Sequence, residues 1–81
     1  MSSEASGKGD RIRILVNGDE LEVNGGSFVV DVLAALDLHP QTVAVEYNGN
    51  ILKRLDYSST QVQAADRLEV VRFVQGGMGA S

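Results

Sequence analysis

The feature that most constrains the fold is Asn17-Gly18, which lies between two segments of alternating apolar and polar residues. Asn-Gly is the strongest short-range signal for a two-residue β-hairpin loop, because both residues tolerate positive φ. With these residues in the loop, the predicted cross-strand partners are Ile12 and Val23, Arg13 and Glu22, Ile14 and Leu21, and Val16 and Asp19. Apolar side chains then meet on one face and opposite charges on the other. The sequence therefore predicts a hairpin with one core-facing side.

A single amphipathic helix is predicted from about Ser27 to Asp37. Its apolar residues recur at i, i+3, i+4 and i+7, as a helix requires: Val29, Val32, Leu33 and Leu36. Ser27 is placed to cap the first turn, and the helix should end before Pro40, because the residue that precedes a proline avoids the α region.

The rest of the chain predicts further strands. Thr42–Tyr47 alternates, Ile51-Leu52 follows a second Asn-Gly turn as a short edge strand, and Arg67–Val74 is the last strand. Leu55–Ala65 is predicted to be irregular or partly 3₁₀. This order places one helix across one face of a mixed sheet, which is an α+β roll.

The alternation also assigns side chains to the two faces of the sheet. The residues predicted to pack on the helix are Ile12, Ile14, Leu21, Val23, Val43, Val45, Leu68 and Val70. Leu15, Val71 and Phe73 have the opposite parity, so they should lie on the open face or at its rim. A cluster of exposed apolar side chains typically marks an interaction surface, although the loop after Leu55 could instead cover these three in part.

Composition narrows the class of protein. Eighty-one residues make one domain, and the absence of cysteine excludes disulfides and thiolate metal sites. The net charge of −4 argues against nucleic acid as the main partner. No apolar run approaches the roughly 20 residues that span a bilayer, so we expect a cytoplasmic protein. Residues 1–10 have the composition of a disordered arm.

The last predicted strand runs into Gly76-Gly77. Backbone without side chains can enter a narrow channel and present a terminal carboxylate to an enzyme. Met78–Ser81 follow, so in this chain Gly77 carries an internal amide instead of a carboxylate.

The chain resembles the ThiS sulfur carriers of thiamine biosynthesis over residues 11–77. The resemblance is carried by Ile14–Gly18, Val29–Leu36, Val43–Gly49, Arg54 and the ending Asp66–Gly77. It implies a ubiquitin-like β-grasp fold. The chain departs from the family pattern at Ala65, where a glycine is usual, and at Phe28, where a Ser or Thr cap is usual. It also departs in the extension at 78–81.

The resemblance also implies a function. An E1-like, ThiF-like enzyme would use ATP to adenylate the Gly77 carboxylate and convert it to a thiocarboxylate, whose sulfur passes to a ThiG-like thiazole synthase. Gly76 would be the flexible neighbour of Gly77. The chain would be a co-substrate and not an enzyme, and it would bind no cofactor itself, because it lacks a Gly-rich phosphate loop. The contacts of this enzyme are predicted separately, from the exposed apolar side chains of the open face and the end of the last strand: Leu15, Val71, Phe73 and Val74.

Because the extension at 78–81 follows Gly77, we expect either that a protease cleaves after Gly77 or that the chain with the extension is inactive as a sulfur carrier. Two other functions stay open: a small subunit of molybdopterin synthase with the same chemistry, and a ubiquitin-like modifier or adaptor. His39 and Lys53-Arg54 are interpreted as solvated residues and not as a catalytic or docking site. The acidic residues of the hairpin region lack the spacing of a metal site.

Overall fold

The computed structural model describes residues 10–73. The elements are β1 (Arg11–Val16), β2 (Asp19–Asn24), α1 (Val29–Ala35), β3 (Val43–Tyr47), β4 (Asn50–Leu52) and β5 (Arg67–Arg72), with 3₁₀ turns at Pro40–Thr42 and Arg54–Asp56. The predictions for the arm at 1–9 and for Val74, Gly76, Gly77 and the extension lie outside the described residues. Among residues 10–73, no helix has the length and apolarity needed to cross a membrane.

Strand β5 lies at the centre of the sheet, whose order is β2-β1-β5-β3-β4. It runs parallel to β1 and antiparallel to β3. The prediction of a mixed sheet with one helix across one face is confirmed. The strand that leads to the diglycine is therefore held on both sides.

The predicted hairpin register is confirmed at every predicted pair, from Ile12 opposite Val23 to Val16 opposite Asp19, and the pairing extends to Arg11 opposite Asn24. Asn17 and Gly18 have φ of 52° and 86°, the left-handed values that this turn requires. The charges on the open face pair diagonally, as Arg11 with Glu22 at 4.0 Å and Arg13 with Glu20 at 3.8 Å.

The helix is shorter than predicted, and Ser27 does not cap it. Phe28 occupies the cap position, and its backbone N–H donates a hydrogen bond of 2.8 Å to the Asp31 carboxylate. The first-turn carboxylate thus supplies the reciprocal half of a capping box, while the Phe28 side chain has no acceptor for the N–H groups of the first turn. The helix ends at Ala35, because Asp37 turns left-handed with φ 62° and the Leu38 N–H bonds back to the Leu33 carbonyl at 2.8 Å.

The predicted core is confirmed, with Ile12 and Leu21 only partly buried. Sequence reasoning missed two core residues in the irregular segment, Tyr57 and Val62, which are 3% and 1% exposed. The segment is tied to the helix start, where the Val29 N–H donates to the Thr60 carbonyl at 2.9 Å. It closes the core on the helix side of the sheet.

Candidate functional site

An apolar patch lies on the sheet face opposite the helix. Ile51, Val71 and Phe73 are 79%, 60% and 46% exposed. Val71 pairs with Ala44 across β5 and β3, and these residues line a groove of about 430 Å³ together with Ile51. Large apolar side chains exposed together indicate a surface that another molecule covers.

Leu15 and Phe73 mark the two ends of this open face. Leu15 lies opposite Arg67 on the neighbouring strand and is half-buried, beside Ala64 and Ala65 at the end of the irregular segment. Both readings of Leu15, face residue and partly covered residue, therefore hold in part. Val71 and Phe73 remain exposed.

Ile51 belongs to this patch, but sequence reasoning treated it only as part of an edge strand. Asn48 and Gly49 adopt the same left-handed turn as the first hairpin, with φ of 52° and 89°. Ile51 therefore pairs with Glu46 on the open face, while Leu52 pairs with Val45. The two-residue rule that gave the first register would have found Ile51 if applied to the second turn.

The patch is bordered by an unfavourable charge pair. Glu46 and Glu69 are direct partners across β3 and β5, and both are exposed. Like charges directly opposite each other destabilise a sheet by roughly 0.2–1 kcal/mol. Arg67 lines the same groove, so the two carboxylates leave it with an excess of one negative charge.

The start of β5 is fixed by Asp66. Its carboxylate accepts hydrogen bonds from the Tyr47 hydroxyl, from the Gln63 N–H at 2.7 Å and from the Asn48 amide at 3.2 Å. Burial alone would raise the pKa of Asp66, but these hydrogen bonds outweigh it and lower that pKa. The pKa of Tyr47 is raised to about 12, first by its hydrogen bond to the Asp66 carboxylate, then by burial and by the negative charge of Asp66.

The other end of β5 leads towards the diglycine. The Phe73 N–H donates to the carbonyl of Thr42, the residue directly before β3, at 2.9 Å, so the chain is still held on that side. On the β1 side, the Asn17 side chain bonds to the backbone of Val70. Phe73 is the last described residue, four positions before Gly77 in the sequence.

The residues interpreted as solvated have local structural contacts. The His39 Nδ1 atom accepts a hydrogen bond of 3.1 Å from the Gln41 N–H, which caps a 3₁₀ turn. The Arg54 Nε–H donates to the Pro40 carbonyl at 3.1 Å, whereas Lys53 is an exposed loop residue. Within residues 10–73, no group of three or more acidic or histidine side chains could hold a metal ion.

Comparison with known proteins points to one family. The sequence matches the model of the ThiS family over residues 11–77. It is 33% identical over 66 residues to a thiazole synthase of Magnetococcus marinus. The matched segment covers 82% of this chain and 20% of that protein. A thiazole synthase of Paramagnetospirillum magneticum is similar at 32% identity. The chain thus spans about a fifth of the length of these two relatives. An uncharacterized protein of Pyropia yezoensis, ycf40, is 33% identical and is covered over 93% of its length.

Solved structures agree with this match. The crystal structure of a thiamine biosynthesis protein (ThiS) from Geobacter metallireducens superposes with a TM-score of 0.68 at 33% identity, covering 82% of this chain and 100% of that one. A designed protein based on human erythrocytic ubiquitin matches with a TM-score of 0.51 at 18% identity, over 86% and 99% of the two chains. The ubiquitin-like β-grasp fold that the resemblance implied is therefore confirmed.

Proposed function

The chain belongs to the ThiS family, and from that premise we propose that it carries sulfur for thiamine biosynthesis as a thiocarboxylate on Gly77. An activating enzyme would transfer AMP from ATP to the Gly77 carboxylate and release pyrophosphate. A sulfur nucleophile would then displace AMP and leave the thiocarboxylate. The observation that carries the proposal is the family match, which runs through the diglycine at 76–77.

The described geometry is consistent with a role as co-substrate. Strand β5 is central and hydrogen-bonded on both sides, so the body of the domain offers a rigid base for the segment after Phe73. Four extended residues reach at most roughly 14 Å, which is enough to carry one carboxylate into a partner's active site. ATP would bind to the partner, which is the E1-like adenylating enzyme of the ThiF type.

The open sheet face is the proposed docking surface for that enzyme. Val71 and Phe73 lie on β5 or directly after it, on the segment that leads to the diglycine, and Ile51 extends the apolar area. A partner that buries this patch would also meet the carboxylates of Glu46 and Glu69. We therefore propose an apolar docking surface on the enzyme with a cationic group beside it.

A ThiG-like thiazole synthase is the proposed acceptor of the sulfur. The support comes from the two thiazole synthases whose chains contain a segment similar to this one, over 20% of their length. A carrier segment that shares a chain with a thiazole synthase would have a high effective concentration at its active site.

Activation requires a free carboxylate at Gly77. Met78–Ser81 follow it in the sequence, and an internal amide is not a substrate for adenylation. We therefore propose that a protease cleaves after Gly77 before the chain is activated.

The adenylation step tests this proposal directly. The full chain and a chain that ends at Gly77 are each incubated with a ThiF-like enzyme, ATP and labelled pyrophosphate. We expect label to enter ATP only with the shorter chain, because only that chain has its carboxylate on Gly77, directly after the glycine pair that the enzyme would recognise. Its variant Gly77→Pro serves as the matched control, since proline at the terminus removes the flexible glycine but leaves a carboxylate.

Three results would contradict the proposal. Equal exchange with the full chain would show that trimming is unnecessary. No exchange with the shorter chain would remove the adenylation step. Attachment of the shorter chain to lysines of other proteins, in the same mixture, would instead indicate a ubiquitin-like modifier.

A further inference from the structure

Strand β1 accompanies the central strand for only part of its length. The parallel register between them covers two residue pairs, Leu15 with Arg67 and Val16 with Leu68. After Val16 the chain turns into the hairpin at Asn17, so the backbone of β1 leaves β5 four residues before that strand ends. The last part of β5 needs another partner on this side.

The side chain of Asn17 supplies that partner. Its Oδ1 atom accepts a hydrogen bond of 2.7 Å from the Val70 N–H, and its Nδ2 atom donates to the Val70 carbonyl at 3.1 Å. The Asn17 backbone N–H also donates to the Leu68 carbonyl at 2.9 Å. The primary amide thus has one donor and one acceptor in place, as a peptide group would, and it continues the ladder by one rung.

The direction of the backbone groups shows that the rung is needed. In a strand, the N–H and C=O of one residue point to the same side, and successive residues alternate. Val70 points both groups towards Asn17, whereas the Phe73 N–H points towards Thr42 on the opposite neighbour. Val70 therefore cannot use β3, and within the described residues Asn17 is its hydrogen-bonding partner.

We propose that Asn17 is a positioning residue for the modification of Gly77, an inference that rests on the proposed sulfur-carrier function. Asn17 fixes the backbone of Val70, which lies three residues before Phe73, the last described residue. In this way Asn17 would set the direction in which the chain leaves the sheet. The carboxylate must reach a reactive centre at the end of a short tail, and reaction rates fall steeply when a reacting group is misplaced. An exposed turn residue thereby controls the base of the tail.

The molecule contains a matched control. Asn48 begins the second Asn-Gly turn with the same φ of 52°, and its amide bonds to the opposite end of β5, where its Oδ1 accepts from the Arg67 N–H at 2.8 Å. Asn17→Gly and Asn48→Gly each keep a residue that tolerates positive φ and remove one clamp on the same strand. Only the first clamp lies next to the tail.

The experiment uses the chain that ends at Gly77 and measures two quantities for both variants. Native-state amide exchange at Val70 should become at least about tenfold faster in Asn17→Gly, while the amides of Glu69 and Val71 change by less than about twofold. In thiocarboxylate formation with a ThiF-like enzyme, Asn17→Gly should lower kcat by about tenfold with KM within about twofold, because the docking face is intact. Asn48→Gly should change neither quantity by more than about twofold.

Other outcomes decide against the inference. Unchanged exchange at Val70 would show that Asn17 does not hold the strand. Equal losses of kcat in the two variants would indicate general destabilisation and not positioning. If the parent chain itself is not modified, the sulfur-carrier function fails, while the exchange at Val70 still decides whether the clamp exists.

Discussion

Ile51 provides the sharpest test of the proposed docking face. Its side chain is 79% exposed, so Ile51→Ala should change the free energy of unfolding by less than about 0.5 kcal/mol, as surface substitutions usually do. Docking would bury the same carbons. The substitution removes three of them, and at about 0.8 kcal/mol for each buried methylene, scaled to the exposed fraction, the loss of binding free energy is about 2 kcal/mol. The dissociation constant should therefore rise about 20- to 30-fold.

Ile14 is the matched control, because it is also an isoleucine in the sheet but is 1% exposed. Ile14→Val deletes one methylene and should lower the free energy of unfolding by about 0.5–1.5 kcal/mol. Urea denaturation measures both stabilities, and titration calorimetry with a ThiF-like enzyme measures both affinities. Ile51 does not lie in a docking surface if Ile51→Ala destabilises the fold more than Ile14→Val, or if the affinity of Ile51→Ala for the enzyme stays within about twofold of the parent.

Phe73→Ala should weaken binding to the same enzyme more than it weakens the fold, and a stability loss of about 3–5 kcal/mol in urea would instead place Phe73 in the core. Glu69→Gln should raise the free energy of unfolding by up to about 1 kcal/mol, because it removes a like-charge pair, yet slow association and reduce its dependence on salt in stopped flow. Ala65 has φ 72°, so Ala65→Gly should raise the melting temperature by a few degrees, and a decrease in calorimetry would contradict the strain. Because folding raises the pKa of Tyr47, this residue stabilises the fold fully below pH 10.0, and its contribution is lost as the pH rises towards about 12. Because folding lowers the pKa of Asp66, that residue stabilises the fold above the pKa it has in the unfolded chain, and its contribution is lost as the pH falls into the acid range. Tyr47→Phe should therefore abolish the alkaline loss in pH-dependent denaturation and shift the acid loss to higher pH.

Short-range rules predicted most of the fold. The Asn17-Gly18 turn fixed the register of the hairpin, because both residues adopt the left-handed conformation and a shift by one position would expose the apolar face. The i, i+3, i+4 pattern gave the buried stripe of the helix, including Val32 and Leu33. At these positions the local backbone preference and the burial pattern favour the same structure, so the sequence alone was sufficient to predict the hairpin register and the buried face of the helix.

Longer-range contacts were harder to predict. Tyr57 and Val62 lie in a segment without periodicity, and they become core residues only because that segment is tied to the start of the helix. The cap position fell on Phe28 and not on Ser27, and the Asp31 carboxylate bonds to the Phe28 N–H there. Such partnerships depend on where the chain returns in space, which composition and alternation do not specify.

The candidate site was predicted unevenly for the same reason. Parity placed Val71 and Phe73 on the open face, which the structure confirms as exposed. The clamp from Asn17 to Val70 joins residues 53 positions apart, so no local pattern could indicate it. The roles assigned to Val74, Gly76 and Gly77 stay predictions.

The central claim is that the chain carries sulfur on the carboxylate of Gly77. Its most direct measurement is the intact mass of the chain ending at Gly77 after incubation with a ThiF-like enzyme, ATP and a sulfur donor, followed by fragmentation of the C-terminus. We expect an ATP-dependent mass increase that corresponds to one oxygen replaced by sulfur, located at Gly77. An unchanged mass, or the same increase located at any other residue, would contradict it.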